Sequence, residues 1–209
     1  IATRSGTGAH MGLCPGSALI FAWPARIDRW RDAGLPWSIG TDCPVCNDGI
    51  NVQRDLRMTV GIPAMGLGWS PAHQAFMETG ELAAAQSAWR VREALRGDWA
   101  DLRDPARALA HVWRTPGAAH PAFHAGTLTE GALANLVAWD ARHPSFWPGR
   151  DLLGTLVRGD VTPAISNVMV AGRWRGTHGD YASSLLDSTG WRDAREEADS
   201  RLRALRARG

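Results

Sequence analysis

The residues best placed to do chemistry lie in "GLPWSIGTDCPVCNDG", residues 34–49, where an apolar run meets Asp42 and is followed by Cys43, Cys46, Asn47 and Asp48. A strand ending in Gly-Thr-Asp delivers its carboxylate to the C-terminal edge of a parallel sheet, where α/β folds and barrels place their active sites. The other reading of Asp42 is a cap on the following turn, a common use of aspartate after a strand.

"CPVC" has the spacing of half a zinc site or of a redox pair. A structural zinc site needs a second pair of ligands, and the remaining cysteine, Cys14, stands alone. A thioredoxin-like motif opens a helix, whereas Pro44 and the "NDG" turn predict a loop here. The pair therefore reads as buried loop cysteines and not as a structural zinc site. The 7 histidines form no HxH or HExxH pattern. His120 and His124 are four apart, but Pro121 lies between them and argues against a shared helix face. His10, at the head of a short apolar run, reads either as a pocket residue or as a satisfied core histidine. No G-x-S-x-G elbow and no G-x-G-x-x-G turn is present.

The elements that must position these groups are legible in the flanking text. "HMGLC" predicts a short buried strand. "PARIDRWRDAG" predicts a helix with Pro24 near its start and Gly34 at its end, and "LPWSIGTD" predicts the next strand. Residues 10–42 thus spell strand, helix, strand at the length of a parallel crossover. From Gly49 to Arg96 the pattern is helical, broken at the Gly-rich "VGIPAMGLGW" and restarted at Ser70, an N-cap before Pro71. "ELAAAQSAWRVREAL" and "DPARALAHVW" predict two further helices. After residue 115 the character changes. "GALANLVAWD", "GTLVRG" and "ISNVMVAGRW" are short β-rich segments between turn residues. The end of the chain predicts a helix that packs Trp191, Ala194, Ala198, Leu202 and Leu205 on the body and pairs Glu197 with Arg201.

Composition removes several function classes. The 209 residues are 44% hydrophobic, enough for one large domain or two small ones. All 23 basic residues are arginine, so no lysine is available as a Schiff base, P-loop ligand or general base. They oppose 21 acidic residues without a basic block, which argues against nucleic acid as partner. No apolar run approaches the ~20 residues of a membrane span. Three cysteines make no disulfide framework, so a reducing cytoplasm is the expected location.

"SGTGAHMGLCPGSAL", "AGLPWSIGTDCPVCND", "AGTLTEGALANLVAWDARHP" and "VMVAGRW" together resemble, in order, the C-terminal half of the amidohydrolase superfamily in its aminohydrolase or deaminase branch. Formiminoglutamate deiminases are similar in the "GLCP" stretch and in the closing V-x-V-x-G-R strand. The resemblance implies the C-terminal part of a metal-dependent (β/α)8 barrel over residues 1–115. Residues 116–209 would be part of a small β-sandwich with a terminal helix.

In that family the aspartate after the eighth strand binds the catalytic metal and relays protons, and the matching residue is Asp42. Asn47 and Asp48, with Cys46, would border the substrate pocket. Cys14, Pro15 and Ser17 match a "CPxSN" loop after the seventh strand, with Ala18 in place of its asparagine, and Ser17 is the residue expected at substrate. The family's histidine ligands belong to earlier strands, and His10 matches none of them. The chain, which starts at Ile1, therefore reads as a piece of a longer enzyme and as inactive alone.

The implied activity is hydrolysis of a non-peptide C–N bond in a small molecule, with Zn²⁺ or another divalent metal activating water. The alternatives are a ring-amide hydrolase, such as a dihydroorotase or imidazolonepropionase relative, and a non-catalytic fragment or pseudoenzyme without the metal histidines. No nucleic acid or membrane partner is expected, and a homodimer of the parent enzyme is compatible with the reading.

Overall fold

The structure, a computed structural model, describes residues 9–22, 25, 27–47, 49–68, 70–119, 124–176, 179 and 181–207. By their internal contacts the residues divide into two units, 1–132 with 151–160, and 133–150 with 161–209.

The first unit is built on two parallel strands, β1 (Met11–Leu13) and β2 (Trp37–Ile39), in the register Met11 to Trp37 and Leu13 to Ile39. Between them run α1 (Pro15–Ile20) and α2 (Ile27–Asp32). Helix α2 ends before Gly34, whose φ of +64° is a turn conformation that glycine adopts without a Cβ penalty. The predicted strand-helix-strand unit is therefore present, while Pro24 lies outside the described residues. On the far side of β2, Ile39 N donates to His111 O, and His111 Nδ1 lies 2.9 Å from Trp37 O. The His111 ring stacks on Trp37 at 3.7 Å, and burial pushes its pKa below the ordinary value. The neutral imidazole then donates from Nδ1 to the carbonyl.

Around this pair lie α3 (Pro44–Asn47), α4 (Val52–Gly68), α5 (Pro71–Thr79), α6 (Leu82–Asp98), α7 (Ala100–Arg103), α8 (Pro105–Ala110), α9 (Arg114–Ala119) and, later in the chain, α10 (Leu152–Arg158). Leu13, Ile27, Trp37, Ile39, Leu56, Leu102, Ala108, Leu109 and Val157 form the shared core. Ser70 caps α5 by accepting from His73 N, as its position before Pro71 predicts.

Three expectations are corrected in this unit. The helix expected to break at "VGIPAMGLGW" continues as α4 to Gly68, through its glycines and Pro63 despite their weak helix propensity. "GTLVRG" belongs to helix α10 and not to a strand. Asp151 caps it through Gly154 N, and the buried residues Gly154 and Val157 are three apart, the spacing of one helix face. "CPVC" is no plain loop either, since Pro44–Asn47 make one helical turn.

In the second unit β3 (Leu136–Trp139), β4 (Ile165–Val170) and β5 (Arg173–Arg175) form one antiparallel sheet in that order, followed by α11 (Tyr181–Leu186) and α12 (Thr189–Arg206). Among the described residues there is no closed barrel, and these strands make a single sheet. Helix α12 carries the expected Glu197–Arg201 pair. Its apolar face does not pack: Trp191, Leu202 and Leu205 are 44%, 52% and 64% exposed, and the helix buries no residue. Charged residues flank that narrow apolar stripe along the helix.

Candidate functional site

Both parallel strands release their loops at the same end. After β1, Cys14 precedes α1, and Ser17 lies buried in its first turn. After β2, Gly40 N still donates to Leu13 O, which carries the ladder one residue further before the chain turns at Asp42. Asp42 adopts φ +58°, a left-handed conformation that aspartate tolerates better than most side chains. There Ser17 Oγ donates to Asp42 Oδ2 at 2.9 Å, and Cys43 N donates to Oδ1 at 2.9 Å. Asp42 stands just past the end of β2. It caps the turn with one oxygen and stands exposed at the strand ends, oriented by Ser17 through the other.

Beneath this pair is a buried polar lock. Asp55, on α4 and 0% exposed, accepts Gly16 N at 2.9 Å with one oxygen and Asn47 Nδ2 at 3.0 Å with the other. Asn47 Nδ2 also donates to Thr41 O at 2.7 Å, and Arg54 donates to both oxygens of Asn47, at 2.5 and 2.6 Å. Asn47 is 2% exposed, so the structure brings it under the site as a brace between the two loops. A Cβ at residue 16 would overlap the Asn47 side chain, which explains glycine there. Asp48 lies outside the described residues.

Asp55, Arg54 and Gly16 are the residues that reading the sequence misses. The one signal was position: Asp55 adjoins Leu56 and precedes Thr59 by one turn, and all three are buried.

The two cysteines are not buried. Cys43 is exposed and Cys46 half-exposed, with sulfurs 3.0 Å apart. Either thiol can donate in the neutral pair. Hydrogen bonding from Cys46 lowers the Cys43 pKa, and the same bond raises that of Cys46 to about 11. Cys14 is pushed up mainly by burial. His10 is satisfied by Ser38 Oγ at 2.9 Å, and His124 by Thr127, while His120 lies outside the described residues.

For a divalent metal, Asp42 offers the carboxylate oxygen that zinc accepts, and each oxygen keeps a lone pair beyond its one hydrogen bond. It fits as one ligand of a set. Among the described residues, the group of metal-ligating side chains that converges is Asp42, Cys43 and Cys46.

No protein-family model matches the sequence, and no curated protein does. Solved structures do. An adenosine deaminase from Xanthomonas campestris with bound zinc superposes with a TM-score of 0.58 at 19% identity, over 88% of this chain and 37% of that one. The fold is shared with part of a deaminase. A triazine hydrolase variant matches with a TM-score of 0.55 at 21% identity, over 78% of this chain and 30% of that one. A mutant of the atrazine chlorohydrolase of Arthrobacter aurescens, complexed with zinc and atraton, matches with a TM-score of 0.57 at 19% identity, over 86% of this chain and 35% of that one. The chain spans little more than a third of these neighbours at most, and at such identities the likeness is one of fold. No described helix is long and apolar enough to cross a membrane.

Proposed function

We propose that this chain is the C-terminal part of an amidohydrolase-type (β/α)8 barrel with an appended sheet, belonging to a metal-dependent hydrolase of non-peptide C–N bonds in small molecules, most specifically an aminohydrolase. The observation that carries the reading is the 2.9 Å Ser17–Asp42 contact, made by two loops that leave the same ends of paired parallel strands. Neighbours crystallised with zinc support the metal, and those acting on adenosine or triazines support the substrate class.

Asp42 would hold the metal, with further ligands from earlier strands of the complete enzyme. The bound metal supplies a water whose pKa is lowered to roughly 7. Asp42 takes a proton at a carboxylate oxygen and returns it to the departing ammonia or amine. Ser17 fixes the carboxylate's rotation by donating to Oδ2, and Asn47, braced by Asp55 and Arg54, holds the loop from which Asp42 projects. In this reading Ser17 and Asp48 border the substrate, and Asn47 shapes that wall from below. The likeness to formiminoglutamate deiminases rests on "GLCP" and the V-x-V-x-G-R strand alone.

Steady-state kinetics of Asp42→Asn in the complete enzyme, at matched metal occupancy, test this. Turnover should fall about 10²- to 10⁴-fold, the usual loss on removing a general base. Near-parental turnover would reduce Asp42 to a turn cap and overturn the reading.

A further inference from the structure

We propose that Asp42, Cys43 and Cys46 act together in this chain as an open three-donor seat for one thiophilic divalent ion of the Zn²⁺ or Cd²⁺ class, which competes for Asp42 with the metal of the complete enzyme. Their ligand atoms all lie within 4.8 Å of one another. The seat itself does not rest on the hydrolase reading, because it needs only these three side chains and the loop that carries them.

The geometry favours a cation over a simple disulfide. The sulfurs are 3.0 Å apart, between the ~2.05 Å of a disulfide and the ~3.8 Å that two thiolates take on a tetrahedral ion with metal–sulfur bonds of about 2.3 Å. Distance alone leaves both open. The third donor adds to this, because a carboxylate oxygen of Asp42 lies within 4.8 Å of both sulfurs, a donor set that an ion uses and a disulfide does not. Asp42 spends one lone pair of each oxygen on Ser17 and on Cys43 N and keeps the others.

The loop is also set in advance. Asp42 is fixed in its left-handed conformation, Cys46 N donates to Cys43 O, and Asn47 Nδ2 ties down Thr41 O, so binding needs side-chain rotation and no refolding. On loading, two thiols become thiolates, their two protons pass to water, and solvent completes the coordination at the exposed Cys43 side. Two sulfurs select against Mg²⁺ and Ca²⁺, which take oxygen.

The test is titration of the reduced 209-residue chain with Cd²⁺ alone, read by the thiolate-to-cadmium absorption, with Mg²⁺ as competitor. One equivalent should bind with the sulfur band, unaffected by excess Mg²⁺. Cys43→Ser and Cys46→Ser should each weaken binding at least tenfold, and Cys14→Ser should leave it unchanged. Because a serine variant can misfold, the unaltered chain is also alkylated with and without Cd²⁺ and mapped by mass spectrometry. The ion should shield Cys43 and Cys46 and spare the reactivity of Cys14. Absence of the sulfur band, full binding by the double serine variant, or shielding of neither or of all three cysteines would overturn the proposal. None of these readouts measures turnover, so the hydrolase reading stands or falls separately.

Discussion

The strand ends of the first unit and the helix that closes the second are held by opposite means. Around Asp42, polar groups are buried and paired: Asp55, Asn47 and Gly16 N satisfy one another across residues far apart in sequence. Along α12, apolar side chains stand in solvent and the ordering is local, from the Ser188 cap and the Glu197–Arg201 pair. The contrast teaches where long-range specification is concentrated. A buried carboxylate with two amide donors tolerates no partial substitute, since each donor left behind costs about 1–3 kcal/mol, while a surface helix tolerates nearly any polar exchange.

The buried lock is where a single substitution costs the most stability. Asp55→Ala strands Gly16 N and one N–H of Asn47 Nδ2, whose other N–H keeps Thr41 O, and should destabilise the first unit by about 2–4 kcal/mol, read from a urea midpoint. A loss no larger than that of an exposed residue would mean that water, and not Asp55, satisfies those donors.

The lock also shows what the sequence could and could not disclose. Strands at 11–13 and 37–39, the stop at Gly34 and the Ser70 cap follow from local pattern, because each is decided by residues within one turn of it. Asp55 was invisible for the converse reason. A carboxylate in a helix reads as a solvated face until an amide from 39 residues away arrives to bury it. Thr155, Leu156 and Val157 were misread similarly, since their β propensity is intrinsic while the burial that makes them helical comes from α4 and α8. The outward face of α12 was misread because its spacing announces an amphipathic helix but not whether a surface exists to receive it.

A smaller effect separates the two sides of β2. His111 is neutral and stacked on Trp37, and its pKa in the folded chain is depressed below the unfolded value. The unfolded state therefore binds the proton first as pH falls. Stability from this group is fully present above the unfolded pKa of about 6.5 and is lost as pH drops toward the folded value. Melting temperatures at pH 7.5 and 5.5 should differ less in His111→Phe, which keeps the stack and cannot titrate, than in the unaltered chain. Identical differences would show that His111 is not part of the acid response.

The smallest effect belongs to α12. Leu202→Ser with Leu205→Ser should change stability by no more than about 0.5 kcal/mol per site, because neither side chain is buried. A loss of several kcal/mol would mean that this face is covered in solution.

Position 42 is a place where folding and chemistry make opposing demands. Its backbone has the handedness that a D-residue prefers, so Asp42→Gly would relax the turn, since glycine alone enters that region without penalty. The same exchange would leave the Ser17 hydroxyl and the Cys43 amide without their acceptor and the strand end without its charge. Any engineering that ranks substitutions at this loop by stability alone would therefore be drawn toward the one residue that abolishes what the loop presents.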